Sequence, residues 1–222
     1  SFHGLFIGKV TEEWMALQCV LYRMLTKLRI MPNWCSSSYV LVGSADEVKE
    51  LYGIMKKLER RKKAFVENGF GITWLGCLVD ALGEDWKKVS CRGEWNAVCK
   101  RGNTLRFTTE TAWGPCNQVF DLICRKYPSI RYYFQSEEPG MVEYLTNDKE
   151  GKYFKDKYCV DVYTPEKEFK HKHFLDEQSL YKWLGDILGT IVTSADDIEK
   201  QNKRWYDTGS SAFCHIYEFR KI

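Results

Sequence analysis

Two short segments constrain the fold more than anything else in the chain: Met31-Pro32-Asn33-Trp34-Cys35-Ser36 and Glu110-Thr111-Ala112-Trp113-Gly114-Pro115. Each ends one regular element and starts another. Pro32 disfavours helix in the residue before it, and Pro115 suits the first turn of a new helix. Between and around them the pattern is readable. Residues 36–42 read as a strand closed by Gly43, and Ser44-Ala45-Asp46-Glu47 reads as a capping box that opens a helix over 44–63. Its apolar stripe is Val48, Leu51, Tyr52, Met55 and Leu58. Residues 89–98 and 104–109 read as antiparallel strands joined by Lys100-Arg101-Gly102-Asn103. A helix over 115–127 is stopped by Pro128, and a strand follows over 130–135. The order strand, helix, strand, strand, helix, strand is the split βαβ pattern of a ferredoxin-like α+β domain. Residues 69–82 fit a strand or a short helix equally.

Beyond residue 140 the sequence predicts strands at 141–145, 157–163 and 169–174. It also predicts a helix over 177–188, capped by Asp176 and closed by Gly189, a helix over 194–206 and a last strand over 212–219. The connections near 140–160 are short, so residues 147–222 are expected to extend the sheet or cover its edge within one body with the domain at 31–146. Residues 1–30 stand apart. Trp14, Leu17, Leu21, Met24, Leu25 and Leu28 recur at helical spacing, which suits an amphipathic helix packed on its own domain or a homodimer seam through residues 14–28.

The net charge of +3 is too small to argue for nucleic acid or an acidic membrane. Nine cysteines without a C-x-x-C pair read as free, small apolar side chains in a reducing cytoplasm rather than a disulfide frame. No run approaches the ~18 apolar residues of a membrane span, and the N-terminus lacks the order of a signal peptide.

The same segments carry a resemblance. Met31 to Ser36 resembles the opening of the YubB-like proteins of phages, plasmids and other bacterial mobile elements. Arg92-Gly93-Glu94-Trp95, Phe107 through Pro115, and Tyr127-Pro128 followed by Glu137-Glu138-Pro139-Gly140 resemble three further motifs of that family in the same order. The match covers residues 31–146 and departs from the family pattern at Ser37, Arg92-Gly93, Gly114 and Cys116. It implies a ferredoxin-like fold and a mobile-element setting, and it implies no settled activity.

A non-enzymatic binding or protein-interaction module is the expected function, acting on a host protein or nucleic acid. Trp34, Trp95 and Trp113 are expected to converge at one end of the sheet with Glu94 and Glu110, chiefly as packed structure, with a binding pocket as the alternative. Lys56, Lys57, Arg60, Arg61, Lys62 and Lys63 form a basic helix end that suits a solvated face or a phosphate-binding patch. The competing class is a thiol-dependent hydrolase or transferase using Cys35 or Cys116 near Trp34 and Trp113, because a helix N-terminus lowers a thiol pKa. Arg101 to Phe107 matches an RNA-recognition strand only at Arg101-Gly102 and Phe107. His171-x-His173 presents two metal ligands on one strand face, but no neighbouring Cys or acid completes a set. The sequence therefore predicts no cofactor and no metal.

Overall fold

Alternation of apolar and polar residues along four strands sets the architecture. The computed structural model describes residues 32–222, so the expected helix and dimer seam over 14–28 lie outside the described residues. The first strand, β1 (Trp34–Val42), lies at the centre of a six-stranded sheet. Around it run β2 (Gly93–Arg101), β3 (Thr104–Ala112), β4 (Arg131–Glu138), β5 (Glu143–Thr146) and β9 (Arg220–Lys221), in the order β2-β3-β1-β4-β5-β9. All neighbours are antiparallel except β5 and β9, so the sheet is mixed. On one face Tyr39, Leu41, Leu105, Phe107 and Phe134 are buried under α1 (Ala45–Glu59), α2 (Leu75–Ala81) and α3 (Asn117–Lys126). Tyr39 lies at the middle of that core, its ring stacked on Phe107, Phe120 and Phe134.

Side-chain alternation then sends Ser36, Glu94, Glu110 and Glu137 to the opposite, helix-free face, where strand pairing aligns them in one row.

A second sheet of three strands has the order β7-β6-β8, with β6 (Tyr158–Tyr163), β7 (Phe169–Phe174) and β8 (Phe213–Glu218). One face carries Val160, Val162, Phe174 and Cys214 against α4 (Glu177–Leu188) and α5 (Ala195–Asp207). The other face carries Cys159, Asp161, His171 and His173, and it meets the first sheet at Glu137. Between the sheets, Asp148 holds a tight loop by accepting from the amides of Lys152, Tyr153 and Phe154. Tyr153 from that loop packs on Tyr133, and Gln135 donates to the Asp156 carbonyl.

Among the described residues the molecule is thus mixed α/β, with five α-helices and a mixed six-stranded sheet. Several expected boundaries shift, two of them by about a helical turn. The first helix ends at Glu59 rather than 63, because Arg60 closes it and the basic run 60–63 leaves the helix exposed and unpacked. The strand expected at 89–98 runs from Gly93 to Arg101, because residues 86–88 form a short 3-10 turn capped by Asp85. The ambiguous stretch 69–82 is a 3-10 turn (Gly71–Thr73) followed by α2. No helix among the described residues is long and apolar enough to cross a membrane.

Candidate functional site

The sequence-predicted corner splits in two. Trp95 is fully buried on the helix face, its indole N–H reaching Glu59 Oε1 at 3.4 Å. Trp34 and Trp113 are 44% and 42% exposed. The expected packed cluster of three tryptophans therefore does not form. Parity is the reason: Trp95 pairs with Thr109 on the buried face, whereas Trp34 pairs with Ala112 in the register of the open face. Trp113 sits past the end of β3 with φ +71°, its amide donating to the Asn33 carbonyl at 2.8 Å. Glu94 and Glu110 are direct cross-strand neighbours on the open face. Each carboxylate has a hydroxyl donor, Thr73 at 3.3 Å for Glu94 and Ser36 at 2.7 Å for Glu110. These bonds offset the repulsion that opposed like charges suffer.

Trp34 and Phe70 form a T-shaped pair with ring centroids 6.1 Å apart. Phe70 in turn walls a cavity of about 390 Å³ with Trp74, Trp86, Val89 and Cys91, and Glu67, Lys87 and Arg92 stand at its rim. All of these cavity residues belong to the insertion between α1 and β2, a segment whose sequence pattern is ambiguous between strand and helix over 69–82. Its shape is set by local hydrogen bonds. Asn68 Oδ1 accepts from the amides of Phe70 and Gly71, and its Nδ2 donates to the carbonyls of Val66 and Gly71. Trp74 packs edge-on to Trp86 at 5.0 Å, and its ring lies where a side chain at Gly76 would stand. The cavity falls within the usual size of a small-ligand or side-chain pocket, and its walls are held in place before anything binds.

The two thiols of the competing reading, Cys35 and Cys116, are buried. Burial pushes Cys35 up from its ordinary value, and Cys116 is pushed up to about 11. Burial wins over the helix-terminus effect that the sequence suggested for Cys116, which is 3% exposed. Phe107, which the chain shares with an RNA-recognition strand, is buried under the helices. In the basic segment Lys56 pairs with Glu59 at 2.6 Å, and Lys57 and residues 60–63 lie exposed.

Among the described residues, the thiol that meets a histidine is Cys159, and here the structure corrects the expectation that nothing completes the pair His171 and His173. Cys159 is the direct cross-strand partner of His173, and Asp161 that of His171. Glu137 reaches over from β4, and one donor atom from each of Glu137, Cys159, His171 and His173 lies within 4.8 Å of all the others. Cys159 Sγ is 3.8 Å from Glu137 Oε2 and 3.8 Å from His171 Nε2, which is itself 3.5 Å from Glu137 Oε2. Asp161 Oδ1 holds His171 Nδ1 at 2.7 Å. Burial, then the Glu137 and Asp161 charges, drive the Cys159 thiol far above its ordinary range. The adjacent Glu137 carboxylate raises the His173 imidazole, outweighing the burial that would lower it. Sequence reasoning missed Glu137 and Cys159 because they come from other strands. The one available signal was the parity of Cys159 and Asp161 along β6.

Set beside protein-family models, curated proteins and solved structures, the chain matches none of them.

Proposed function

We propose that the protein is a non-enzymatic binding module of bacterial mobile elements, of the YubB-like kind, that captures a protein partner at the cavity walled by Phe70, Trp74 and Trp86. The pre-shaped aromatic cavity, continuous through Phe70 with the exposed Trp34, carries this reading. Tryptophans in a defined recess are the side chains that most often dominate binding energy. Lys87 and Arg92 outnumber Glu67 at the rim, so the favoured occupant is an aromatic side chain flanked by acidic residues. The antiparallel order β2-β3-β1-β4, with α1 and α3 on one face, is the arrangement a ferredoxin-like domain would have and supports the family reading. Buried Cys35 and Cys116, neutral thiols at physiological pH, favour binding over thiol catalysis.

The test is a titration of the full chain with a short peptide, Asp-Asp-Phe-Asp, followed by the indole N–H resonances of its tryptophans. The Trp86 and Trp74 signals shift, the Lys-Lys-Phe-Lys counterpart leaves them unmoved, and Trp86→Ala abolishes the effect. Equal response to both peptides, or none to either, contradicts the reading.

A further inference from the structure

Glu137, Cys159, His171 and His173 come from three strands in two sheets, and nothing in the binding role of the aromatic cavity calls for their meeting. We propose that these four residues bind one borderline-soft divalent cation of the zinc class, in a closed tetrahedral site that fastens the two sheets together.

The donor set fits that chemistry. Two imidazoles, one thiolate and one carboxylate match the nitrogen, sulfur and oxygen ligands of zinc. Calcium and magnesium take oxygen ligands and have no use for the sulfur and the two nitrogens. Bond lengths of roughly 2.0–2.1 Å to nitrogen or oxygen and about 2.3 Å to sulfur imply tetrahedral edges of roughly 3.3–3.6 Å. The separations of 3.5 and 3.8 Å among Glu137, His171 Nε2 and Cys159 Sγ are within a few tenths of an ångström of those edges.

The surrounding residues point the same way. Asp161 Oδ1 lies at 2.7 Å from His171 Nδ1, and the tautomer that donates from Nδ1 to it keeps the Nε2 lone pair toward Glu137 and Cys159. A carboxylate behind a ligating histidine is the common orienting device of metal sites. His173 Nε2 is buried and lies 2.7 Å from Glu137 Oε1, yet no hydrogen bond of proper geometry satisfies it. A buried polar atom left unpaired is costly, and a cation in the middle of the four donors supplies its partner. The same ion compensates the carboxylates of Glu137 and Asp161 around the buried sulfur. On binding, the Cys159 S–H bond breaks, its electron pair forms the metal–sulfur bond and its proton leaves to solvent. Four protein donors leave no position for water, so the site fastens rather than hydrolyses.

The full chain, purified, loaded with Zn(II) and dialysed, tests this by its metal content and by competition with a chromogenic chelator. One zinc per chain is expected. Cys159→Ser, His173→Ala and the volume-conserving Glu137→Gln lose it, and Asp161→Asn weakens it by about 10–100-fold, as for other orienting carboxylates. His215→Ala, on the same sheet outside the donor set, retains it. Co(II) in place of zinc gives a sulfur-to-cobalt charge-transfer band that Cys159→Ser removes while circular dichroism reports an intact fold. Should His173→Ala fail to fold, Glu137→Gln and Cys159→Ser still decide the matter. No zinc retained, or zinc retained equally by Cys159→Ser and Glu137→Gln, overturns the proposal.

Discussion

Trp95 and Trp113 occupy the two ends of the exposure range, and their substitution should read accordingly. Trp95 is fully buried beneath α1, so Trp95→Ala should cost about 3–5 kcal/mol, the usual loss for a large aromatic in a core. Trp113 is 42% exposed and holds φ +71°, a conformation that costs a non-glycine residue roughly 1–2 kcal/mol. Trp113→Gly should therefore leave stability unchanged or raise it, while Trp95→Ala lowers the midpoint of chemical denaturation substantially. Equal losses for both would restore the packed trio that the sequence suggested. Gly93 supplies a third case. A Cβ there would overlap the Glu110 carbonyl and Thr111, so Gly93→Ala should loosen the β2–β3 pairing, read as faster amide exchange along those two strands. The tryptophans could be recognised as important from the sequence, but their faces could not. That depends on the register of β1, β2 and β3, and the alternation of Glu94-Trp95-Asn96-Ala97 breaks at Val98 and Cys99, where β2 bulges.

Elements with capping chemistry were the most legible. Ser44 accepts from the Glu47 amide, Asp176 from the Ser179 amide, and Gly189 closes α4 at φ +62°, as the residue types suggested. The bulge between Asn96 and Cys99, with Ala97 at φ +56°, was not legible because no glycine marks it. At α5 the Asp197 carboxylate accepts from the amides and hydroxyls of both Thr193 and Ser194. The Thr193 amide leads the bonds that pull its pKa from 3.8 down to about 2. A depressed folded-state pKa contributes stability above the unfolded value and loses it as the pH falls through the folded one. Protection of the α5 amides should therefore decline between pH 3.8 and about 2. In Asp197→Asn that decline should vanish from this window. An unchanged profile in the variant would remove Asp197 from the role.

At the scale of the whole molecule, the first four strands and their two long helices could be anticipated, whereas the joint between the sheets could not. The pattern of β6 and β7 places Cys159 beside His173, but only tertiary packing brings Glu137 from β4 to meet them. The cavity was hidden for a similar reason, since its walls come from turns on either side of α2 that Asn68 and Asp85 hydrogen bonds fix. If a metal fastens the joint, chelation should speed amide exchange in β6, β7 and β8 while β1 and β3 keep their protection, because local opening follows the weakest shared contact. Uniform acceleration across both sheets would place the stabilisation elsewhere. In the proposed site the two sheets are joined through a mixed nitrogen, sulfur and oxygen centre. X-ray absorption at the zinc edge of the loaded full chain tests it most directly. One sulfur neighbour at about 2.3 Å and three nitrogen or oxygen neighbours at about 2.0–2.1 Å are expected. A shell of six oxygen or nitrogen neighbours with no sulfur would contradict it.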